Sequence, residues 1–299
     1  MSSLTFTFAS MKEGQEILVQ RDDYLRVMRP FERSLKMQAN TYVPESAFGA
    51  FLKASVMPWT QEEMEKLKKG SSDLIKRLDQ LEIDFHENIL LVKTDGREEW
   101  NSAYTRANGI ILPEKKLKNY GGEKLVRLLA HELFHIISRK RPALREQLYK
   151  MLGFTIISEI SFPKLLESRI LTNPDAPLYD NYIEVFVEGA KAQVVPIVLL
   201  KESYENINAK EDIFHSIAMK LAVLEEQQGE WKVQCREENP LILNLEDVSG
   251  LLEQVGEDME RFNQVEEILA ENFALLVGGL KNVTTSQIFE KMRSFLTIQ

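Results

Sequence analysis

The sequence is poor in residues on which several classes of protein depend. It has one cysteine, Cys235, among 299 residues, which excludes an intramolecular disulfide framework and a cysteine-rich zinc site. Its longest apolar runs, such as VVPIVLL at 194–200, are far shorter than the ~20 residues that span a bilayer. Glycine and proline number only 14 and 10, and there is no internal repeat or low-complexity segment. The composition is that of an ordinary globular protein.

Positive charge is also scarce, with 37 basic and 46 acidic residues and a net charge of −9. Because no broad basic face can be built from this balance, we do not expect a nucleic-acid partner. The first residues, MSSLTFTFASMKEG, lack the basic and long apolar segments of a signal peptide. These features predict a reduced, cytoplasmic protein with no membrane partner, and they leave open an export route without a cleaved signal.

Helices and strands are expected in separate blocks along the chain. The helical patterns in residues 1–84 predict an N-terminal helical lobe. Within it, Thr60 and Glu63 have the spacing of a capping box. Residues 85–299 begin with two strand patterns and return to helices near the C-terminus. Blocks of this kind favour the α+β class over a doubly wound sheet.

One helical segment, residues 122–140, contains the stretch HELFH. His131 and His135 are four residues apart, so they share one face of the helix. Two imidazoles one turn apart can both reach a zinc ion at about 2.0–2.1 Å. Glu132 is rotated about 100° from His131, where it can act as a general base without being a ligand.

The same histidines could instead be satisfied groups in a hydrophobic core. The chain has only four histidines, and the neighbours of these two are apolar on nearly all sides of the helix. A buried helix with two histidines and a glutamate needs a strong partner for these groups, because unpaired buried charge is costly. We therefore favour a zinc site over buried histidines without metal.

A zinc enzyme needs a third protein ligand and an open fourth position. The histidine of the metzincin pattern is missing, because position 141 is arginine. Carboxylates are a better source, and the apolar segment VEEILAENFALLV at 265–277 carries Glu266, Glu267 and Glu271. Glu267 and Glu271 are four residues apart and share a helix face that calls for a positively charged partner.

HExxH on one helix and Glu-x-x-Ala-Glu on a later one resembles the gluzincins, the thermolysin-like zinc metallopeptidases. The resemblance implies a zincin-like catalytic domain in which Glu267 is the third zinc ligand. It also implies that Glu132 is the general base and that Glu271 accepts the N–H of His131 or His135. The stretches 138–154 and 172–177 are in addition similar to uncharacterised bacterial proteins with the same HExxH.

This chain departs from that pattern in the spacing of its two motifs. Between His135 and Glu267 lie 131 residues, where the thermolysin-like enzymes have about twenty. Glu159 is at the shorter distance and is the main alternative ligand, although its segment resembles a strand. Glu271 itself is a second alternative.

Two further expectations follow from the resemblance. The resemblance implies that residues 107–112 form the edge strand to which an extended substrate adds, and the alternative for the same residues is an ordinary core strand. No motif marks the donor that stabilises the oxyanion, and we expect Tyr182 to supply it. The other candidate donors are Tyr179, Tyr104 and His215.

The sequence thus predicts a zinc-dependent peptidase, with peptides or proteins as substrates. The alternative is a binding or scaffold protein that has the zincin-like fold and no turnover, although such a protein has no need of Glu132. The acidic net charge favours neutral or basic peptides through electrostatic steering. The pattern does not distinguish an endopeptidase from an exopeptidase or indicate an oligomeric state.

Overall fold

A computed structural model of the chain describes residues 4–207, 213–256, 264–279 and 286–297. Helices and strands occur in blocks, so the fold is α+β, as the sequence predicts. The strands are β1 (Thr5–Phe8), β2 (Asn88–Thr94), β3 (Tyr104–Arg106), β4 (Gly109–Pro113), β5 (Phe154–Ile156), β6 (Asn181–Val187), β7 (Ala190–Leu200), β8 (Ile217–Gln227), β9 (Glu230–Val233), β10 (Cys235–Arg236), β11 (Asn239–Pro240) and β12 (Ile242–Leu243). The helices are α1 (Met11–Leu18), α2 (Asp23–Val27), α3 (Pro30–Lys36), α4 (Glu45–Ser55), α5 (Gln61–Gln80), α6 (Glu114–Asn119), α7 (Glu123–Lys140), α8 (Pro142–Met151), α9 (Lys164–Glu167), α10 (Leu252–Val255), α11 (Val265–Gly278) and α12 (Ser286–Thr297). None of the helices in these ranges is long and apolar enough to cross a bilayer.

The first sheet has four strands in the order β1-β2-β4-β3. β1 and β4 are both parallel to β2, and β3 is antiparallel to β4. β4 therefore has a neighbour on each side, and the expectation that residues 107–112 form an edge strand was wrong. The edge next to the site is β3, because the chain reverses at Ala107 and Asn108 before β4 enters the sheet.

The second sheet is antiparallel, in the order β12-β8-β7-β6-β5, with β9 paired to β8. The hairpin of β8 and β9 turns at Gly229, whose positive φ of 84° suits a residue without a side chain. One face of this sheet joins the main core through Ile183 and Val194, and the other packs a separate cluster around Val195 and Ile197. The alternation along each strand produces these two faces.

The helices α7 and α11 pack against each other in the middle of the main core. On α7, Leu129, Leu133 and Ile136 are fully buried at helical spacing. On α11, Leu269 and Phe273 are equally buried. The sequence predicted both helices, and their close packing brings residues far apart in the sequence onto facing surfaces.

The N-terminal segment belongs to the same body as the rest of the chain. Helices α1–α5 confirm that residues 1–84 are mostly helical, but β1 pairs with β2 in the first sheet. Leu67 and Leu74 of α5 also share the main core with Leu129 of α7. Residues on both sides of the boundary that we expected between 84 and 85 therefore contribute to the main core.

Candidate metal centre

Helix α7 presents His131, Glu132 and His135 together. It begins after Gly122, carries Glu123 in its first turn and has Arg139 and Lys140 in its last, charges that suit the helix dipole. The rings of His131 and His135 lie 4.8 Å apart, edge to face. His135 is fully buried, whereas the side chain of His131 is 22 % exposed.

Helix α11 places Glu267 opposite the two histidines. Its Oε2 is 3.3 Å from His131 Nε2, and its Oε1 is 3.8 Å from His135 Nε2. One ligand atom from each of the three side chains lies within 4.8 Å of the others. Ligands around a tetrahedral zinc ion at about 2.0–2.1 Å are about 3.3 Å apart, so these separations are close to those that a zinc ion needs.

Two buried polar atoms in this group have no hydrogen-bond partner among the described residues. They are His135 Nε2 and Glu132 Oε2. Buried polar groups are nearly always paired, so an orphaned imidazole nitrogen next to two other ligand groups calls for a cation. The chemistry of two imidazoles and one carboxylate suits zinc, with an open position for a further ligand.

The side of His135 away from the ligand group is held by Glu266. Its Oε1 is 3.5 Å from His135 Nδ1, while its Oε2 accepts hydrogen bonds of 2.9 Å from the hydroxyls of Ser138 and Tyr149. Glu266 is only 4 % exposed. A carboxylate in this position fixes the tautomer that leaves Nε2 free for a metal.

Glu271, which we expected behind one of the histidines, lies behind His131. Its Oε2 is 3.7 Å from His131 Nδ1, and its Oε1 accepts a 2.6 Å bond from Arg127 Nη2. Glu271 is 42 % exposed and Arg127 is 37 % exposed. The support behind His131 is therefore longer and more open to water than the support behind His135.

A loop at residues 172–177 contacts the site through Asn173 and Asp175. Asn173 Nδ2 donates to Glu267 Oε1 at 2.7 Å and to Gln264 Oε1 at 3.2 Å. The backbone N–H and the hydroxyl of Thr172 donate to buried Glu32 on α3, at 2.7 and 2.8 Å. The loop thus connects α3 of the N-terminal segment to the candidate ligand on α11.

Asp175 of the same loop lies beside the general-base candidate. A second group of ligand atoms within 4.8 Å of one another comprises Glu132, His135 and Asp175. Asp175 Oδ1 accepts hydrogen bonds from the backbone N–H and the hydroxyl of Thr105, at 2.7 and 2.5 Å. Asp175 therefore accepts the hydrogen bond of the outward-facing backbone N–H of Thr105 in the edge strand β3.

These contacts shift the protonation of the site in the metal-free protein. Burial, followed by the charge of Asp175, raises the pKa of Glu132 to about 8. Burial lowers the pKa of His135, but the charges of Asp175 and Glu267 outweigh it and raise that pKa to about 8. Burial raises the pKa of Glu267, but His135 and His131 outweigh it and lower that pKa to about 2. The site holds protons that a metal ion would displace.

The group opens into a cavity of about 830 Å³. His131, Glu132 and Glu267 form part of its wall, together with residues of β3, α6 and β8. A cavity of this volume is within the range of small-molecule and peptide-binding clefts. The candidate ligands are therefore accessible to a substrate.

The structure does not bring the other expected residues to this group. Tyr182 stacks on Trp231, with ring centroids 4.9 Å apart, in the cluster behind the second sheet. Tyr179 lies in that cluster too, and its hydroxyl donates to Leu171 O. Alternating strand residues point to opposite faces, which is why Tyr182 of β6 points away from the core face of Ile183. Tyr182 therefore has no part in the site.

The remaining alternatives differ in their position. Glu159 is half exposed and pairs with Arg26 at 3.2 Å, away from the ligand group. Tyr104 lines the cavity, but it is buried and its hydroxyl donates to Glu98 at 3.4 Å. His215 is exposed and is not among the residues that line the cavity. Of the proposed third ligands, only Glu267 converges with both histidines.

Sequence reasoning missed Glu266, Asn173 and Asp175 as residues of the site. The chain matches no family model, no curated protein and no solved structure. The roles of these residues therefore come from the geometry of this molecule alone. The only signal in the sequence was the stretch TNPDAP at 172–177, which we had associated with HExxH proteins without assigning roles to its residues.

Proposed function

We propose that this protein is a zincin-like, zinc-dependent metallopeptidase of the HExxH…E type. The observation that carries the proposal is the convergence of His131, His135 and Glu267 at the wall of a large cavity. Their separations suit zinc, and His135 Nε2 is buried without a partner among the described residues. The fold class and the pair of packed helices are consistent with a zincin-like domain.

A bound zinc ion would supply Lewis acidity toward a peptide carbonyl and would lower the pKa of water at the site. In this proposal Glu132 takes a proton from water in the cavity. The supporting observation is that its Oε2 is buried at the cavity wall and has no hydrogen-bond partner among the described residues. Asp175, held by Thr105, keeps a second carboxyl group beside Glu132. The water oxygen would bond to the peptide carbonyl carbon, the C–N bond would break, and the proton would pass from Glu132 to the leaving amine.

The surrounding residues orient the site. Glu266 holds His135, Glu271 lies behind His131, and Asn173 holds one oxygen of Glu267. Precise orientation of this kind is what makes a set of ligands and a general base effective. None of these three residues needs to touch the substrate for this role.

The variant Glu132→Gln tests the proposal. The wild-type protein, loaded with zinc, is incubated with a mixed-sequence peptide library, and the products are identified by mass spectrometry. We expect Glu132→Gln to retain zinc and to cleave at least about a hundredfold more slowly, because it has lost the general base. Glu146→Gln is the matched control, since Glu146 is an exposed carboxylate of α8 paired with Lys150.

Two results would contradict this function. Cleavage that is unchanged in Glu132→Gln would show that the activity arises elsewhere. A zinc-loaded wild type that cleaves no peptide in the library would support the alternative, a zincin-like scaffold without turnover.

A further inference from the structure

The face of α7 that carries His131 continues toward the start of the helix with basic residues. Lys124, Arg127 and Leu128 line the same cavity as His131, at the spacing of one helix face. Lys116 and Tyr120, at the end of α6, line it as well. Three basic side chains in one cavity are unexpected in a chain with a net charge of −9.

Three charged residues that line the cavity, Glu99, Arg127 and Glu271, are in ion pairs within the protein. Glu99 accepts a 2.5 Å bond from Lys36, and both side chains are almost completely buried. Arg127 is paired with Glu271 at 2.6 Å. These four residues are therefore neutral pairs and contribute little net charge to a substrate.

Lys116 and Lys124 differ from these pairs. Lys116 Nζ is 3.3 Å from the hydroxyl of Tyr120 and 4.9 Å from the centre of its ring, and it has no carboxylate partner among the described residues. The side chain of Lys124 is exposed and has no hydrogen bond or ion pair with any residue of the described ranges. The two lysines are thus cations of the cavity wall that the described residues leave unbalanced.

Part of the cavity wall is apolar, and the carboxylates Glu132, Asp175 and Glu267 lie where the candidate metal ligands converge. Strands β7 and β8 contribute Val198, Ile217 and Met219, and the segment between β5 and β6 contributes Leu171. None of these side chains can balance the charge of the lysines. A negatively charged group on a bound molecule is the complement that the cavity calls for.

We propose that Lys116 and Lys124 bind a carboxylate of the peptide substrate, an inference that rests on the proposed function. Lys124 precedes His131 by seven residues, which is a distance of about 10 Å along a helix. An extended peptide covers about 3.3 Å per residue, so the carboxylate lies about three residues from the cleaved bond. It belongs to an acidic side chain or to the C-terminus of the peptide.

The preference for a carboxylate is a property of the cavity, and it differs from the electrostatic effect of the net charge of the whole protein. The net charge of −9 favours the approach of neutral or basic peptides. At the end of the cavity formed by α6 and the start of α7, the unpaired charges of the described residues are positive. The best substrate therefore has one carboxylate near the cleaved bond and no strong overall acidity.

The test uses zinc-loaded protein and pairs of quenched fluorescent peptides. In each pair, one position within four residues of the cleaved bond carries Glu or Gln, and a further pair ends in a free carboxylate or an amide. We expect a preference of about three- to tenfold in kcat/KM for the carboxylate about three residues from the cleaved bond. The pair with a free or amidated terminus tells an acidic side chain from a terminal carboxylate.

Charge-reversed variants connect the preference to the two lysines. In Lys116→Glu/Lys124→Glu we expect the preference to disappear or to turn toward a basic residue at the same position. Lys115→Glu is the matched control, because Lys115 is an exposed residue of α6 outside the cavity and the change in net charge per site is the same. Should the double variant fail to fold, as judged by circular dichroism, the single variants Lys116→Gln and Lys124→Gln replace it.

The outcomes separate this inference from the proposed function. Cleavage without a carboxylate preference, or with a preference that survives in the double variant, overturns the role of the lysines and leaves the peptidase intact. If no peptide is cleaved at all, the proposed function fails. Binding of the same labelled peptides to Glu132→Gln, measured by fluorescence anisotropy, then decides the role of the lysines, and equal binding of the Glu and Gln peptides overturns it.

Discussion

The two histidines of the site have very different surroundings. His135 is fully buried and is held by Glu266, which also binds Ser138 and Tyr149. His131 is 22 % exposed, and its Nδ1 is 3.7 Å from Glu271. Glu271 is paired with Arg127, and both of these side chains are partly open to solvent. The inner half of the site is thus part of the protein core, while the outer half is part of the cavity wall.

Substitutions in the two halves should therefore differ in their effect on the stability of the fold. Removing an acceptor from the inner half leaves buried donors unpaired, which is costly. Removing a group from the outer half exposes its partners to water, which can replace the lost bonds. One candidate ligand, His135, is therefore buried in the core, and the other, His131, lies on the side of the cavity.

The largest effect is expected from Glu266→Ala, in the inner half. It removes the acceptor of Ser138, Tyr149 and His135 at once, so the free energy of unfolding of the metal-free protein should fall by about 2–4 kcal/mol. Zinc affinity should fall about 10–100-fold, because His135 loses its support. Urea denaturation and competition with a zinc chelator measure the two effects. A change of less than 1 kcal/mol would mean that Glu266 has no such role.

The second prediction concerns pH. In the metal-free protein the pKa of His135 is raised to about 8 and that of His131 is raised as well, and zinc binds only the neutral imidazoles. Zinc affinity should therefore rise with pH through about 8, by up to about tenfold per pH unit for each proton released, and should level off only above the pKa values of both imidazoles. Chelator competition between pH 6 and 9 measures this dependence.

The variant Glu266→Gln sharpens the pH prediction. The hydrogen bond to Glu266 helps to raise the pKa of His135, so its removal should move the plateau of zinc affinity to lower pH. An affinity that does not change between pH 6 and 8 in the wild type would contradict the account of the protonated site.

A smaller effect is expected from Glu271→Gln, in the outer half. The Glu271–Arg127 pair is about two-fifths exposed, so the free energy of unfolding should change by less than about 1 kcal/mol. Zinc affinity should fall by less than about tenfold, measured under the conditions used for the Glu266 variants. Losses as large as those of Glu266→Ala would contradict the difference between the inner half of the site, around His135, and the outer half, around His131.

The smallest effect is expected from Tyr182→Phe. Its ring stacks on Trp231 behind the second sheet, so removing the hydroxyl should leave zinc content unchanged and kcat/KM within about twofold. Steady-state kinetics on any peptide that the wild type cleaves measures this. A drop of a hundredfold would restore the catalytic role that the sequence alone suggested.

The sequence predicted those parts of the site that depend on local patterns. The HExxH spacing and the apolar periodicity of 122–140 are both contained in one helix, so His131 and His135 could be placed on one face. Glu267 could be chosen only through the family resemblance. Its approach to the histidines depends on the packing of α7 against α11, which no local pattern reports.

The residues that sequence reasoning missed have ordinary local explanations. Glu266 is in the first turn of α11, where acidic residues are common because they suit the helix dipole. Asn173 and Asp175 are in a segment with two prolines, and such residues are frequent in turns. Only the tertiary structure shows that Glu266 is buried under His135 and that the loop reaches both Glu132 and Glu267.

The N-terminal segment illustrates the same limit. Its helices were predicted from their periodicity, but the parallel pairing of β1 with β2 joins residues about eighty positions apart. The bonds from Thr172 to Glu32 on α3 are also long-range. Both features connect the N-terminal segment to elements that carry residues of the site.

The most direct test of the central claim is the zinc content of the purified protein, measured by mass spectrometry beside Glu267→Ala and Glu159→Ala. We predict one zinc ion per chain in the wild type and in Glu159→Ala, because Glu159 is outside the ligand group. Glu267→Ala should lose the metal, because Glu267 is the residue that converges with both histidines. A wild type that binds no zinc after reconstitution, or a Glu267→Ala variant that keeps it fully, would contradict the account.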